Sequence, residues 1–440
     1  LALTSEFSGS SREIFTMFNN ADIKFPFIKD ENGEETELTK GRYIKFLESR
    51  DRRVRKDAFY ALYNTYQKYK NSFAAMLSGS VKSDKFYATS RKYNSSLEAS
   101  LDDDNISTKV YDNLIETVDK NLHLLHRYLK LRKKALKLDE LNMYDLYVPI
   151  VETPKKEIPY EEALKQVENG LRPLGEEYLK YLKEGFANGW IDVYENQGKT
   201  SGAYSWGGYK THPYVLLNYQ GTVNDVFTLA HEMGHALHTY YTNKTQPYIY
   251  SEYKIFVAEV ASTVNESLLI RYMLNNTNDK TEKAYLLNHY LEQFRGTVFR
   301  QTMFAEFEKI VHGKYQNGEA LTSETLSQIY LDLNKKYFEP EVRVNEDISI
   351  EWARIPHFYS SFYVYKYATG FSSATAISNM ILNEGSLAVE RYIKFLKGGG
   401  SDYPLELLKN AGVDLSTPKP IQDTLDAFEK IVEELENILD

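Results

Sequence analysis

Two histidines and a glutamate in residues 222–241, TVNDVFTLAHEMGHALHTYY, have the types and the spacing of a zinc site. His231 and His235 are four residues apart, so on a helix they can place two imidazole nitrogens on one tetrahedral zinc, at about 2.0–2.1 Å. Glu232 is rotated away from His231, which suits it to act on a water molecule as a general base rather than to bind the metal. The pattern His-Glu-x-x-His therefore indicates zinc-assisted hydrolysis.

The stretch that carries these residues is predicted to be one helix, starting at about residue 223. Thr222 and Asp225 resemble a capping box, and no proline follows until Pro247. The polar side chains share one side of this helix, opposite an apolar stripe. That polar side has no lysine or arginine, although a solvated helix face usually carries them. We therefore expect it to face an enclosed polar space such as a cleft.

A catalytic zinc usually has three protein ligands and one open position, so a third ligand is needed. The metzincin pattern is excluded, because His238 and Tyr241 stand where it requires glycine and a third histidine. The next predicted helix, 252–274, is otherwise apolar and carries three glutamates spaced by seven residues: Glu252, Glu259 and Glu266. Buried carboxylates on such a helix need a metal or hydrogen bonds to offset desolvation. The spacing does not choose among the three.

The clearest strand signal comes directly before the zinc motif, in residues 199–218. Two β-like runs are separated by glycine, lysine and proline. An extended peptide can add to the edge of such a sheet as one more strand and present its carbonyl to a neighbouring metal. Ala203 and Tyr204 are the predicted substrate contacts on this segment. The alternative is that the strands only pack under the helix.

Composition limits the class of protein. The 440 residues are 42% hydrophobic and 26% charged, which is ordinary for a globular protein large enough for two lobes. The net charge of −9 argues against a nucleic-acid partner. No apolar run approaches the length of a membrane span. The absence of cysteine fits a reducing compartment and favours a cytoplasmic location.

Most of the remaining chain is predicted to be helical. An extended or hairpin segment is expected at 23–39, around a polar turn. Amphipathic helical segments follow it: 42–78, 82–95, 107–136 and 160–185. His289 and His312 lie among charged neighbours and are expected to be solvated. The glycine-rich loop 398–403 is expected to be either a plain connector or a segment that flexes over a substrate.

The runs 225–238, DVFTLAHEMGHALH, and 254–266, KIFVAEVASTVNE, resemble the M3 family of zinc peptidases, and most closely its bacterial oligoendopeptidase F branch (M3B). The resemblance implies one zinc ion per chain. It assigns the roles residue by residue: His231, His235 and Glu259 as zinc ligands, and Glu232 as the catalytic base. Glu266 is then implied to support a ligand from behind.

A further run, 355–370, IPHFYSSFYVYKYATG, resembles the segment where this family keeps a histidine and tyrosines that hold the substrate and the developing oxyanion. Tyr365 fits the main tyrosine, with His357 as its catalytic companion and Tyr359 as a substrate contact. The spacing from histidine to tyrosine is shorter than in the mammalian relatives. A helix predicted over 360–382 carries Tyr365, and a glycine within it indicates a close helix contact or a bend.

The resemblance covers roughly residues 25 to 440 and implies a mainly α, two-lobed helical zincin of gluzincin-like type. A small β-sheet next to the active-site helix and a deep substrate channel are expected. The implied division has three parts: 1–22 as the end of an N-terminal helical region, 23–197 as a helical lobe forming a channel wall, and 198–440 as the zinc catalytic region. Most of the family's N-terminal region is expected to be missing from these 440 residues.

The expected activity is that of a zinc metalloendopeptidase, an oligopeptidase that hydrolyses internal bonds of short unstructured peptides. In this mechanism the zinc ligands would hold an ion that activates water, Glu232 would move the proton, and Tyr365 with His357 would stabilise the oxyanion. One alternative is a zinc carboxypeptidase or dipeptidase, which needs a cation such as Arg354 or Lys366 to hold the substrate's terminal carboxylate. The other is a non-catalytic helical binding protein, which has no need for ligands, base and oxyanion donors together.

Overall fold

The computed structural model describes residues 4–152 and 157–439. Within them the chain is mainly α-helical, as predicted. The helices are, in chain order, α1 (Ser5–Ser8), α2 (Ser10–Met17), α3 (Lys40–Leu47), α4 (Arg52–Gln67), α5 (Lys70–Ser90), α6 (Ser96–Asp102), α7 (Thr108–Lys120), α8 (Leu122–Ala135), α9 (Tyr160–Gly170), α10 (Gly175–Ala187), α11 (Val223–Thr245), α12 (Ile255–Asn276), α13 (Lys280–Phe294), α14 (Arg300–Gln316), α15 (Ser323–Phe338), α16 (Tyr365–Glu384), α17 (Ser386–Leu396), α18 (Pro404–Asn410) and α19 (Lys419–Leu439). No described helix is both long and apolar enough to cross a membrane.

The strands are short and form three small sheets. They are β1 (Phe27–Lys29), β2 (Glu35–Glu37), β3 (Leu141–Asn142), β4 (Ile191–Asp192), β5 (Tyr204–Gly207), β6 (Pro213–Leu216) and β7 (Val342–Arg343). The antiparallel pair of β1 and β2 confirms the hairpin predicted at 23–39, and β3 pairs with β7 in parallel. In the third sheet β6 lies between β4 and β5, which confirms the strand signal at 199–218.

The chain divides into two compact units that do not follow chain order. The first comprises the chain up to Asp103 together with Val118–Val151 and Phe299–Tyr365, and the second comprises Asp104–Thr117, Glu152–Val298 and the chain from Lys366 onwards. The division predicted at residues 22/23 and 197/198 is a functional one and stays a prediction.

The core of the first unit contains a buried carboxylate surrounded by donors. Tyr63 and Tyr330 donate hydrogen bonds to Glu351, at 2.9 and 2.6 Å. Arg300 and Arg354 donate to the same carboxylate, at 2.8 and 2.5 Å. Burial opposes the charge of Glu351, but the two guanidinium groups hold its pKa below the usual range. Both arginines are therefore committed to a structural network.

Helices α11 and α12 lie at the centre of the second unit. Helix α12 is apolar around most of its circumference because α9, α11 and α13 all pack against it. The helix predicted from residue 252 begins only at Ile255, because Lys254 is extended. Glu252 is therefore outside the helix, and the predicted common face holds only the other two glutamates.

Candidate active site

Helix α11 begins where the sequence predicts. The Thr222 hydroxyl accepts a hydrogen bond from the Asp225 N–H at 3.2 Å, and the Asp225 carboxylate accepts one from the Thr222 N–H at 2.9 Å. This capping box satisfies two backbone donors that the helix cannot. On the third and fourth turns, His231 and His235 come together with their Nε2 atoms 3.2 Å apart.

A glycine inside the zinc motif sets the distance between α11 and α12. A Cβ atom at Gly234 would lie 2.6 Å from the Cα of Ser262. This distance is too short for any side chain to fit at Gly234. Asn265 then donates a hydrogen bond to a backbone carbonyl of α11 at 3.0 Å. The absence of a side chain at Gly234 thus lets the two backbones meet and brings glutamates of α12 up to the histidines.

Three potential ligand atoms converge at this crossing. Oε2 of Glu259 lies 3.4 Å from Nε2 of His231 and 3.5 Å from Nε2 of His235. Ligand atoms about 2.0–2.1 Å from a tetrahedral zinc lie about 3.3–3.4 Å from one another, so the triangle has the size that the ion requires. It is the one cluster of metal-ligating side chains found among residues 4–152 and 157–439. Two imidazoles and one carboxylate are the donor set of a catalytic zinc with an open fourth position.

The charges around this triangle favour a cation. Burial alone would lower the pKa of His231, but its hydrogen bond to Glu266 and the nearby carboxylates raise it to about 9. Burial alone would raise the pKa of Glu259, but its hydrogen bond with His235 and the charge of the histidines lower it to about 2. Both shifts show that positive charge is stabilised beside Glu259. The site therefore fits a metal cation in charge as well as in size.

Glu266 holds His231 from behind. One of its carboxylate oxygens bonds to Nδ1 of His231, and the other accepts a hydrogen bond from Gln293 at 2.6 Å. The bond fixes the ring and leaves Nε2 facing Glu259. A carboxylate on the far nitrogen of a metal-binding histidine orients the ring and makes it a better ligand.

Glu266→Gln is expected to weaken zinc binding by roughly 10- to 100-fold, the usual effect of losing such a support. The affinity can be measured by competition with a chelator of known strength. Glu292→Gln is a suitable control, because Glu292 is on the neighbouring helix and pairs with Arg295 instead. Equal zinc affinity in the Glu266 variant and the parent would refute this role.

Glu232 lies beside the ligands without joining them. Its side chain is buried, with 6% of the residue exposed, and Oε2 accepts no hydrogen bond from the described residues. Burial raises its pKa, against the opposing effect of the histidines. A buried carboxylate with a raised pKa and an unused oxygen is suited to accept a proton and return it.

The sheet of β4, β5 and β6 packs against α11. A Cβ atom at Gly207, the last residue of β5, would lie 2.9 Å from the side chain of Thr239, so this glycine allows the close contact. Strand β5 is at the edge of the sheet, with β6 as its one described neighbour. Tyr204 is the first residue of that strand and half of it is exposed, and Ala203 directly precedes it. Tyr204 therefore lies at the start of an edge strand, and Ala203 lies immediately before it.

The glycine-rich loop is fastened by hydrogen bonds. The Gly400 N–H donates to the carbonyl of Tyr250 at 2.9 Å, and Gln246 donates to the carbonyl of Lys397 at 2.8 Å. Gly399 has φ +53°, and a Cβ there would lie 2.3 Å from the Tyr250 carbonyl oxygen. Of the two roles considered for this loop, the contacts favour the connector, which ties down the segment between α11 and α12.

His238 belongs to the polar side of the helix, but it does not face an enclosed polar space as the helix pattern predicts. It is buried, and its ring stacks in parallel on Tyr253 with centroids 3.7 Å apart. Burial and the charge of His235 lower its pKa to about 3. It is a neutral packing residue that connects α11 to the segment leading into α12.

The segment with the second predicted set of residues is organised differently from the prediction. The sequence predicts a helix over 360–382, but Pro356–Tyr359 forms a 3₁₀ turn and α16 begins only at Tyr365. The cause is Phe362, whose φ of +59° no right-handed helix can include. Further along α16, a Cβ at Gly370 would lie 3.8 Å from the Cβ of Glu259. This is an ordinary van der Waals contact, so the close helix contact or bend predicted at this glycine stays a prediction.

The aromatic side chains of this segment differ in exposure. Tyr359 stacks on a phenylalanine of α2 with centroids 4.2 Å apart, and His357 lies parallel to Tyr363 at 6.2 Å. Tyr365 is fully buried, whereas Tyr363 and Tyr367 are partly exposed. Tyrosines stand at every second position from Tyr363 to Tyr367. This alternation is the sequence signal that draws attention to Tyr363 and Tyr367 in addition to Tyr365.

Two histidines expected to be solvated are packed instead. His312 is 6% exposed; its Nδ1 donates to the backbone carbonyl of Glu308 at 2.9 Å and its Nε2 lies 3.2 Å from the Asp84 carboxylate. His289 stacks on Phe227 with centroids 4.7 Å apart. A charged neighbour in the sequence does not indicate exposure, because Glu308, one turn before His312 on the same helix face, is itself buried.

Comparison with known proteins agrees with this geometry. The model of Peptidase family M3 matches residues 45–427. Oligopeptidase PepF of Bacillus subtilis (strain 168) is 56% identical over 439 residues, which cover 100% of this chain and 66% of the relative. The chromosomal oligoendopeptidase F of Lactococcus lactis subsp. cremoris is 46% identical over 424 residues, covering 96% of this chain and 70% of the relative.

A solved structure extends the likeness to the fold. The crystal structure of oligoendopeptidase-F from Enterococcus faecium is 41% identical, with a TM-score of 0.84 over 99% of this chain and 73% of that chain. The 440 residues thus span about two thirds to three quarters of the length of these relatives. The zinc-sized triangle and these likenesses agree: the chain belongs to peptidase family M3 and, within it, to the oligoendopeptidase F group of zinc metallopeptidases.

Proposed function

We propose that this protein is a zinc endopeptidase that cuts internal bonds of short, unstructured peptides. The observation that carries the proposal is the triangle of His231, His235 and Glu259, whose sides of 3.2–3.5 Å suit one zinc ion. Glu232 lies next to it with an unused, buried carboxylate oxygen. The names of the relatives, which are oligopeptidases and oligoendopeptidases, support the substrate class.

In the proposed reaction His231, His235 and Glu259 hold the zinc ion, which when bound supplies Lewis acidity towards water and the peptide carbonyl. Glu232 accepts a proton from the attacking water while the oxygen of that water forms a bond to the carbonyl carbon of the peptide. The same carboxyl then gives the proton to the amide nitrogen as the C–N bond breaks. Glu266 keeps the His231 ring in the required orientation throughout.

The remaining assignments rest on the segment 355–370 and on the sheet edge. Tyr365, with His357, would donate hydrogen bonds to the developing oxyanion, and Tyr359 would contact the substrate. Tyr365 begins the helix whose Gly370 lies beside Glu259, which supports this assignment. An extended peptide would pair with the open edge of β5, at Ala203 and Tyr204.

Tyr365→Phe is expected to lower kcat by roughly 10²- to 10³-fold with KM nearly unchanged, because a donor to the oxyanion acts only in the transition state. Steady-state kinetics on a quenched fluorescent peptide would measure both constants. Tyr363→Phe and Tyr367→Phe remove the same hydroxyl group from partly exposed neighbours and serve as matched controls. A change in KM alone, or a fall in kcat only in one of the neighbours, would contradict the assignment to Tyr365.

The carboxypeptidase alternative receives no support from Arg354 or Lys366, the two candidates for the single cation that it needs. Arg354 pairs with Glu351 at 2.5 Å, and Lys366 pairs with Asp104 at 3.2 Å. A cation already bound to a carboxylate is poorly suited to hold the terminal carboxylate of a substrate. A non-catalytic helical binding protein would also leave the zinc-sized triangle and Glu232 without an explanation.

Substrate length tests the proposed preference for short peptides. An extended peptide is narrow and spans at most about 3.3–3.6 Å per residue, whereas a folded domain of about 100 residues has a radius of gyration near 13 Å. We expect short unstructured peptides to be cut and folded proteins to resist. The rate per susceptible bond would be measured on unstructured chains of increasing length. A rate that stays constant up to full-length unfolded proteins would contradict a preference for short substrates.

We also propose a cytoplasmic location and no nucleic-acid or membrane partner. A chain of 440 residues without cysteine is suited to a reducing compartment, where disulfides do not form. Detection of the protein in the extracellular or membrane fraction of its own cells would contradict this location.

A further inference from the structure

The backbone is strained between the two residues assigned to the oxyanion. Phe362, which lies between His357 and Tyr365, has φ +59°, in the left-handed region that large side chains avoid. It is also fully buried, so the strain cannot relax by moving the ring into solvent. A conformation of this kind costs free energy and persists only where the surroundings impose it.

A buried carboxyl group holds the strained residue. Oε1 of Glu308, on α14, accepts a hydrogen bond from the Phe362 N–H at 2.9 Å. Only 2% of Glu308 is exposed, and its Oε2 accepts no hydrogen bond from the described residues. Burial raises the pKa of this carboxyl well above its usual value. Burial thus disfavours the charged form of Glu308, and the hydrogen bond to the Phe362 backbone is the contact through which it acts.

The preceding residue is anchored by a second carboxylate. The Ser361 hydroxyl donates to Asp84, on α5, at 2.5 Å. The same carboxylate oxygen lies 3.2 Å from Nε2 of His312, whose ring packs against Phe362 with centroids 4.4 Å apart. Two consecutive residues of the segment are thus fixed by side chains of two helices.

We propose that Glu308 is a positioning residue, which holds the segment 357–365 in the geometry that presents its histidine and tyrosines to the substrate. The inference rests on the proposed function. Two unfavourable features meet at one point: a phenylalanine with positive φ and a buried carboxyl oxygen without a described partner. Neither contributes to stability, and strained residues of this kind are concentrated at functional sites. The buried carboxyl group therefore lowers the stability of the fold but fixes the conformation of the segment 357–365.

The test compares three variants of the zinc-loaded protein. Glu308→Leu removes the acceptor at similar volume and is expected to lower kcat/KM by roughly 10- to 100-fold at unchanged zinc content, because displacement of a positioned group by about 1 Å can cost 10²-fold. Glu308→Gln keeps an acceptor oxygen and is expected to restore most of the activity. Glu306→Leu is the matched control, because Glu306 is on the same helix but bonds to Lys336 instead, at 2.6 Å.

The rates are measured well below the unfolding temperature of each variant. Parent-like activity of a folded Glu308→Leu protein would overturn the proposal, and so would equal losses in the Glu308→Gln or Glu306→Leu variant. If Glu308→Leu does not fold, Glu308→Ala replaces it, since it also removes the acceptor, with a similar loss of kcat/KM expected and parent-like activity again overturning the proposal. No cleavage by the parent would refute the proposed function itself and this inference with it, a result distinct from equal activity of parent and variant.

Discussion

Glu232→Gln is expected to lower kcat by about 10²- to 10⁴-fold, the range that a positioned general base contributes. Zinc content and peptide affinity should stay at the parent level, because Glu232 lies beside the ligand triangle and is not part of it. Glutamine has the same shape but cannot accept the proton of water. Metal analysis, a binding isotherm for an uncut peptide and single-turnover kinetics would measure the three quantities separately.

A glutamate outside the site provides the control for this substitution. Glu252 precedes α12 and is not part of the triangle, so Glu252→Gln should keep the parent kcat. A Glu232→Gln protein that retained most of its turnover would show that another group moves the proton. One that had lost its zinc would show that Glu232 supports the metal instead.

Glu259→Ala is expected to abolish zinc binding at concentrations that saturate the parent, and activity with it. Removal of a direct ligand leaves two imidazoles, fewer than the three protein ligands that a catalytic zinc usually has. The loss should exceed the roughly 10- to 100-fold that removal of a supporting hydrogen bond costs, so Glu259→Ala should bind zinc more weakly than Glu266→Gln. The loss would be measured as the zinc content per chain after dialysis against a weak chelator.

The ranking of the three glutamates decides the outcome. Glu252→Ala should retain parent zinc content, Glu266→Gln should lose part of the affinity, and Glu259→Ala should lose nearly all of it. Equal zinc content in the Glu259 variant and the parent would exclude Glu259 as a ligand. A larger loss in the Glu266 variant would instead make the carboxylate behind His231 the ligand.

Features that depend on neighbours in sequence could be predicted from the chain alone. The start of α11 follows from Thr222 and Asp225, because a capping box is local. The approach of His231 to His235 follows from helical spacing. The strands β5 and β6 were likewise indicated by a short pattern of β-like runs between turn residues.

Features that depend on contacts between distant segments could not be predicted from the sequence. Spacing alone left the third ligand open, because the choice of Glu259 depends on how Gly234 lets α12 approach. The sequence pattern predicts the start of α16 five residues too early, because Phe362 takes a positive φ that no propensity of phenylalanine predicts. The burial of His312 depends on Asp84, more than 200 residues away in the chain.

The most direct test of a zinc endopeptidase uses a peptide blocked at both ends, with an acetylated amino terminus and an amidated carboxyl terminus. We expect the zinc-loaded protein to cut it at internal bonds, a chelator to stop the reaction, and added zinc to restore it. Mass spectrometry of the products would identify the bonds. A blocked peptide that stays intact while its unblocked form loses residues one at a time from an end would contradict the endopeptidase, and cleavage that persists without zinc would contradict the metal site.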